Sequence, residues 1–165
     1  MSEPSKVLVV DDDEVVRLSY QRSLHAANCN VEVEAALCGE DALEALERKR
    51  FDVVLLDLRM PGMDGMSVLK SIKRDWPASG VIVITGYPTV ESAKEAMRLG
   101  AYDYLAKPVS PAEIINAASS VITQKRWALH QDLASPDARP AAKTEPSEEA
   151  SSLASSAIER KGKRP

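Results

Sequence analysis

Cysteine and histidine are scarce in this chain of 165 residues, which has two of each. Cys29 and Cys38 stand too far apart for a short metal-ligand spacing, and two cysteines in a chain without an export signal are more often reduced and buried than bridged. His25 and His130 fall on predicted helices, with no serine motif or cysteine partner nearby. Neither a disulfide scaffold nor a nucleophilic triad is therefore indicated.

Long apolar runs and a basic charge balance are also missing. The longest apolar runs are about as long as one strand, well below the roughly 20 residues of a membrane span, and the first residues lack the apolar core of a signal peptide. A formal charge of -4 and a pI near 5.3 give no overall basic surface for nucleic acid. We therefore expect a soluble, cytoplasmic protein that binds neither membranes nor nucleic acid directly.

What the chain does have is a regular alternation of strand and helix patterns, repeated five times between Lys6 and about Gln131. With 44% hydrophobic residues, the length allows one sizeable core but is short for two full domains. The predicted strands are residues 7–10, 31–35, 53–56, 81–84 and 102–106. The alternation predicts an α/β fold with a doubly wound parallel sheet, in which the second strand, with Glu32 and Glu34 alternating, is an edge strand.

The helices between these strands are predicted from apolar residues at helical spacing. The apolar positions are Val16, Tyr20 and Leu24, then Leu43 and Leu46, then Val68, Leu69 and Ile72, then Val90, Ala93 and Met97, and finally Ile114, Ile115, Ala118, Val121 and Ile122. Asp13 and Thr89 can cap helix starts, and Pro111 suits a first helical position.

The composition changes after about Leu133, where prolines interrupt a run of Ala, Ser, Glu and Lys. Such a segment cannot bury enough apolar surface to offset its ordering entropy. We expect one folded domain over residues 5–130 and a disordered tail over 134–165, with at most a transient helix near Ala150 to Arg160. The basic residues at the end of the tail are interpreted as solubilising.

Polar residues follow four of the predicted strands at the point where each strand ends: Asp11 and Asp12, Asp57, Thr85, and Lys107. The carboxyl ends of parallel strands meet at one edge of a sheet, where open α/β sheets bind ligands. An aspartate run can simply cap a helix, but a further carboxylate on a neighbouring strand end favours a shared site. Acids facing a lysine and a threonine suit a divalent cation and a phosphoryl group.

The close carboxylates predict a bound cation. Each pair of carboxylates about 5 Å apart costs roughly 3 kcal/mol at an effective dielectric near 20, and a bound Mg²⁺ relieves that repulsion. Beside such an ion Asp57 can attack a phosphoryl donor and form an aspartyl phosphate. Thr85 can donate a hydrogen bond to a phosphate oxygen, and Lys107 can neutralise another.

Four motifs together resemble the receiver domain of two-component response regulators, over roughly residues 5 to 128. They are Val-Leu-Val-Val-Asp-Asp-Asp ending at Asp13, Leu-Leu-Asp-Leu-Arg-Met-Pro-Gly-Met-Asp-Gly around Asp57, Val-Ile-Thr-Gly-Tyr around Thr85, and Gly-Ala-Tyr-Asp-Tyr-Leu-Ala-Lys-Pro around Lys107. The resemblance implies the flavodoxin-like (βα)5 fold with strand order 2-1-3-4-5.

The resemblance also implies roles for individual residues. Asp57 accepts a phosphoryl group from a histidine kinase or a phosphotransfer protein, and Mg²⁺ is held by Asp11, Asp12, Asp57 and the backbone carbonyl of Arg59. Thr85 and Lys107 contact the phosphoryl group. Tyr104 is the aromatic residue whose side chain rotates when the protein is phosphorylated, and the Lys107–Pro108 peptide bond is cis.

The sequence around Arg59, Gly86, Tyr87 and Tyr102 most resembles receivers of nitrogen-regulator-type transcription factors. The sequence has no room for their ATPase module and no two-helix DNA-reading pattern, so we expect output through an unknown downstream protein. Phosphorylation is expected to reshape the face made by the fourth helix, fifth strand and fifth helix, in a monomer or a phosphorylation-linked dimer.

Two other functions stay open at this point. One is a phosphate-independent binding module that works through the tail. The other is a metal-dependent phosphohydrolase, although a second acid for the leaving group and a substrate-binding cap are not apparent. The resemblance favours a signalling switch that is not an enzyme in the usual sense, with slow Mg²⁺-dependent autophosphorylation and autodephosphorylation.

Overall fold

Five strands alternate with five helices along the chain in the computed structural model, which describes residues 3–27 and 30–134. The strands are β1 (Ser5–Val10), β2 (Val31–Ala36), β3 (Val53–Asp57), β4 (Gly80–Thr85) and β5 (Asp103–Ala106). The helices are α1 (Glu14–Ala26), α2 (Gly39–Arg48), α3 (Gly65–Asp75), α4 (Val90–Arg98) and α5 (Pro111–Ala134). Every predicted strand and helix of this region is present.

All five strands are parallel, and their order across the sheet is β2-β1-β3-β4-β5, which confirms the predicted topology. The register aligns the strand ends: Val10 lies opposite Leu56, and Thr85 lies opposite Ala106. The residues that follow these strands therefore meet at one edge of the sheet, which is the geometry that the site requires.

The core has two halves, one on each face of the sheet, because successive residues of a strand point to opposite faces. Leu8 and Val10 of β1 pack with buried residues of α2, α3 and α4. Val7 and Val9 pack on the other face with α1 and α5. All residues of β3 are buried, as expected for a central parallel strand covered on both sides.

The edge strand β2 carries the predicted alternation of charged residues. Glu32 and Glu34 form ion pairs with Lys49 at 2.6 and 2.8 Å, and Glu34 also pairs with Arg48 at 3.0 Å. These charges lie along a free sheet edge, where they oppose pairing with another strand.

The apolar stripe predicted for α4 is only partly correct. Val90 is 66% exposed and Met97 is 50% exposed, whereas Ala96 is fully buried, with Ala93 half-buried beside it. The physical reason is that α4 covers the short edge strand β5, where the helix approaches the sheet through small side chains. The larger apolar residues of α4 are consequently left on the surface.

Cys38 is free, as expected, but it is half-buried rather than buried. It lies at the N-cap of α2, where the chain enters the helix in extended conformation. Cys29 lies outside the described residues. Both histidines are exposed.

Spatial contacts divide the chain into two units, Met1–Trp127 and Ala128–Pro165. All five strands lie in the first unit, and residues 128–134 of the second are helical. The predicted tail beyond residue 134 and its transient helix lie outside the described residues. None of the helices in the described ranges combines the length and apolarity that a membrane span needs.

Candidate functional site

The predicted site residues come together at the carboxyl edge of the sheet. Asp11 directly follows β1, Asp57 and Thr85 are the last residues of β3 and β4, and Lys107 follows β5. Asp11 is 2% exposed, Asp57 is 5% exposed and Thr85 is 1% exposed. Polar groups that are so deeply buried need partners, and these are provided by Lys107 and by backbone N–H groups of the adjoining turns.

Three carboxylates form an acidic cluster. One oxygen from each of Asp11, Asp12 and Asp57 lies within 4.8 Å of the others, and Asp12 is the exposed member of the three. Oxygen donors at this separation are the type that hard divalent cations prefer. The cluster therefore fits the predicted Mg²⁺ site in its donor chemistry.

Backbone groups hold the two buried carboxylates in place. Asp11 Oδ1 accepts a hydrogen bond from the Asp13 N–H at 2.9 Å, and Asp57 Oδ1 accepts one from the Arg59 N–H at 3.1 Å. Each carboxylate is therefore oriented by the turn that follows it, leaving its other oxygen free to face the cluster.

Lys107 connects these remaining oxygens. Its Nζ donates to Asp11 Oδ2 at 2.7 Å and lies 3.5 Å from Asp57 Oδ2. Burial by itself lowers the pKa of Lys107, but the hydrogen bond that Lys107 donates to Asp11 and the charges of Asp11 and Asp57 outweigh burial and raise the pKa overall. Lys107 is therefore a firmly protonated cation inside the acidic cluster.

Asp57 is less well compensated. Burial raises the pKa of its carboxyl group, the Arg59 N–H and Lys107 lower it in part, and the charge of Asp11 raises it further. The net shift is upward. One lysine does not offset the cost of three close carboxylates, so a further positive charge at this place is favourable.

Thr85 and Tyr104 extend the site toward α4. The Thr85 hydroxyl accepts from the Tyr87 N–H at 3.1 Å, and its carbonyl accepts from the Lys107 N–H at 2.8 Å. Tyr104 is half-buried on β5, and its hydroxyl is hydrogen-bonded to Ser92 Oγ. The Lys107–Pro108 peptide bond is cis, as the resemblance implied.

Arg59, whose carbonyl was predicted as a metal ligand, is exposed and lies two residues beyond Asp57. Its guanidinium stacks on the Tyr87 ring, with Cζ 3.9 Å from the ring centroid. The loop that follows Asp57 packs closely against the start of α3: a Cβ on Gly65 would lie 2.4 Å from the Leu58 Cα. Only glycine fits there, so Gly65 helps to fix the loop that carries Asp57.

Three side chains near the site were not assigned a role from the sequence. Arg17 donates through Nη1 to the Asp11 carbonyl at 2.7 Å and so ties α1 to the loop of the acids. Ser92 links Tyr104 to the start of α4 through a hydrogen bond. Tyr20 is buried, and the charges of Lys107, Asp11 and Asp57 shift the pKa of its hydroxyl. Tyr20 was identified only as a core position; its hydroxyl, unusual on an apolar stripe, was the available signal.

Comparison with known proteins agrees with this geometry. A family model described as the response regulator receiver domain matches residues 7–119. The receiver domain protein (CheY-like) from Methanospirillum hungatei superposes with a TM-score of 0.72 at 26% identity, over 76% of this chain and 99% of that one. A Burkholderia pseudomallei response regulator, solved with a phosphorylated aspartic acid, a calcium ion and citrate, has a TM-score of 0.64 at 28% identity, over 75% of this chain and 74% of that one.

Curated relatives include transcription regulators that are much longer. The DNA-binding transcriptional regulator NtrC of Escherichia coli K12 is 39% identical over 117 residues, which are 71% of this chain and 24% of that protein. Transcriptional regulatory protein ZraR of Salmonella typhimurium is 44% identical over 103 residues, 62% of this chain and 23% of that protein. The chain thus spans about a quarter of the length of these relatives. On the family match and the five-stranded fold together, the chain belongs to the response regulator receiver domain family.

Proposed function

We propose that Asp57 accepts a phosphoryl group from a histidine kinase or a phosphotransfer protein, and that the protein is a switch controlled by this modification. The observation that carries the proposal is the arrangement of Asp57: a buried carboxylate with Asp11 and Asp12 within 4.8 Å and the Lys107 ammonium 3.5 Å away. A nucleophile, a cation and a cation-binding cluster are thus collected at one place.

The chemistry follows from these groups. An Asp57 oxygen attacks the phosphorus, the bond from phosphorus to the donor breaks, and the leaving group takes the bonding electrons. Asp11, Asp12, Asp57 and the Arg59 carbonyl would hold Mg²⁺, which would neutralise charge on the incoming phosphoryl group. Lys107 is already in the cluster and neutralises further charge.

The new phosphoryl group changes the partners of Thr85 and Lys107. Phosphorylation adds close to two negative charges, which attract both the Lys107 ammonium and the Thr85 hydroxyl. Thr85 then gives up the hydrogen bond that it accepts from Tyr87, and Tyr104 turns inward from Ser92. The face formed by α4, β5 and α5 changes shape, and it already presents the exposed Val90 and Met97 to a partner.

Members of the receiver family are signalling switches rather than enzymes in the usual sense. We propose that this chain catalyses only slow phosphorylation and dephosphorylation of itself, in the cytoplasm. Residues 5–130 form the receiver domain, and the segment after residue 134 is not needed for phosphorylation. The downstream partner is a protein that recognises the α4-β5-α5 face.

Phosphoryl uptake from acetyl phosphate tests this function. Intact-mass spectrometry is expected to show one added phosphoryl group with Mg²⁺ present and none after chelation. Asp57→Asn is expected to abolish uptake, whereas Asp75→Asn, which changes an exposed aspartate at the end of α3, leaves it unchanged. Absence of uptake in the wild-type protein favours a phosphate-independent binding module, and steady turnover of small phosphate esters favours a phosphohydrolase.

A further inference from the structure

A cavity of about 340 Å³ opens at the amino edge of the sheet, where β3 and β4 begin. Its walls come from the residues before β3, the loop between α3 and β4, and α5, and they include Arg50, Phe51, Asp52, Trp76, Ser79 and Lys125. Asp52 precedes β3 and Asp57 ends it, so the two are roughly 16 Å apart at the rise of a parallel strand. The cavity is therefore distinct from the acidic cluster.

The loop between α3 and β4 is held on both sides of the cavity. Ser79 is 4% exposed, and its hydroxyl donates to the Phe51 carbonyl at 2.7 Å. The Lys73 ammonium donates to the carbonyls of Pro77 and Ser79 at 2.9 and 3.0 Å. Because these bonds already fix the walls, a ligand does not have to order them, and this lowers the cost of binding.

Trp76 forms much of the apolar wall. It directly follows α3, and its N–H donates to the Ile72 carbonyl at 2.7 Å. Its half-buried side chain packs against the core half that contains Phe51, which also lines the cavity. Aromatic rings attract one another in offset-stacked or edge-to-face arrangements. The wall therefore suits a planar ring.

Positive charge is in excess around the cavity. The Lys125 ammonium lies 3.5 Å from Asp52 Oδ1, and the other oxygen of Asp52 already accepts from the Lys6 N–H at 2.8 Å. Across residues 3–27 and 30–134, neither Arg50 nor Lys73 forms an ion pair. Asp52 is therefore the only carboxylate that pairs with any of these three basic side chains in the described ranges.

The other charges nearby do not remove this excess. Asp75 also lines the cavity, but Arg74 donates to both of its oxygens at 3.0 and 2.9 Å. The pKa of Lys73 is lowered by burial first and by the charge of Lys125 second, so the two ammonium groups act on each other. A negative group placed beside Lys125 is consequently favoured.

We propose that this cavity binds a small aromatic carboxylate, with its ring against Trp76 and its carboxylate beside Lys125 and Arg50. A single negative charge fits better than a phosphate group, because Asp52 stays in the wall and repels a second charge. The volume lies near the lower limit of small-molecule sites and holds one ring or two fused rings. This binding is independent of the chemistry at Asp57.

Titration of the wild-type protein with 2-naphthoate, followed by the NMR signals of the backbone amides, tests the inference. We expect saturable shifts centred on Asp52 and residues 76–79, with a dissociation constant below about 1 mM. The uncharged alcohol 2-naphthalenemethanol has the same rings and is expected to bind about tenfold more weakly. Shifts that do not saturate, shifts centred elsewhere, or equal binding of the alcohol overturn the inference.

Substitutions of Lys125 test the role of its charge. Lys125→Gln is expected to weaken 2-naphthoate binding about tenfold, the loss of one charge-assisted contact. Lys125→Arg keeps the charge and is expected to bind close to the wild type, which separates the loss of charge from a disturbed cavity. The matched control is Lys70→Gln, an exposed lysine of α3 outside the cavity, and its affinity is expected to be unchanged.

Equal affinity of wild type and Lys125→Gln contradicts the inference, and so does an equal loss in Lys125→Arg and Lys125→Gln. Asp57→Asn is expected to bind 2-naphthoate as the wild type does. A protein that takes up no phosphoryl group but binds 2-naphthoate refutes the proposed function alone, whereas a phosphorylated protein that does not bind it refutes this inference alone.

Discussion

Asp57 is a carboxylate whose ionised form the fold disfavours, and its substitution is expected to stabilise the metal-free protein. Because its pKa is raised, mainly by burial, the folded state holds the proton more tightly than the unfolded state. As the pH rises through this elevated pKa, the folded state must lose a proton that the unfolded chain has already lost. Stability therefore falls over that range and stays lower above it.

Asp57→Asn removes this penalty. We expect its melting temperature to exceed that of the wild type at neutral pH without metal, with the difference shrinking as the pH falls below the ordinary carboxyl range. Added Mg²⁺ stabilises the wild type by binding the folded state, so it reduces the difference in melting temperature between the two proteins. Thermal melts over a pH series check this, and a metal-free Asp57→Asn protein less stable than wild type at neutral pH contradicts it.

Lys107 both stabilises the acids and competes with a metal for them. Lys107→Met leaves the buried carboxylate of Asp11 without its ion pair, so we expect the metal-free protein to lose roughly 1–3 kcal/mol of stability. Removing the ammonium also removes its repulsion of a cation, so Mg²⁺ is expected to bind more tightly. Calorimetric titration and chemical denaturation measure the two effects.

The control for this experiment is Lys70→Met, which changes an exposed lysine on α3. It is expected to alter neither stability nor Mg²⁺ affinity measurably. Weaker Mg²⁺ binding by Lys107→Met than by wild type is the result at odds with a competition between lysine and metal.

At the scale of elements, the start of α4 is coupled to β5 through one hydrogen bond. Thr89 and Ser92 form a capping box at the N-terminus of α4, and Ser92 Oγ is also bonded to the Tyr104 hydroxyl. Movement of Tyr104 therefore changes the partners of a residue in the first turn of α4. This is the physical connection between the switch tyrosine and the α4-β5-α5 face.

A double-mutant cycle of Ser92→Ala and Tyr104→Phe measures this connection. In the resting protein we expect a coupling of about 0.5–1.5 kcal/mol, since each substitution deletes the same hydrogen bond. The cycle subtracts the separate contribution of Ser92 to the capping box. With beryllofluoride and Mg²⁺ bound the coupling is expected to vanish; a coupling that persists unchanged shows that Tyr104 does not leave Ser92.

At the scale of the whole molecule, everything that builds the site lies within residues 5–127. A chain ending at residue 134 keeps all five strands and all four strand ends that carry the site. We expect it to match the full chain in melting temperature and in Mg²⁺-dependent phosphorylation. Loss of either property on truncation assigns the segment after residue 134 a part in the fold or the reaction.

The strands and the acidic cluster could be predicted from the sequence because they follow from short-range rules. Short apolar runs such as 53–56, set in an alternation of strand and helix patterns, are typical of a strand buried on both faces, and parallel strands bring their carboxyl ends to one edge of the sheet. Asp11, Asp57, Thr85 and Lys107 were therefore placed correctly without knowledge of any distance. The metal ligands and the roles in phosphoryl transfer stay predictions.

Features that depend on tertiary packing could not be predicted in the same way. Hydropathy favours Val90 and Met97 over Ala96 as the buried side of α4, yet the edge of the sheet admits the small residue and leaves the large ones exposed. The contact of Ser92 with Tyr104 depends on side-chain conformations that no periodicity specifies.

The position of the phosphoryl group tests the central claim most directly. After incubation with acetyl phosphate and Mg²⁺, tandem mass spectrometry of peptides, with the acyl phosphate trapped by borohydride reduction, is expected to locate a single modified residue at Asp57. A modification confined to Asp11, Asp12 or any residue outside the acidic cluster contradicts the account, as does an unmodified chain under conditions in which Mg²⁺ binding is saturated.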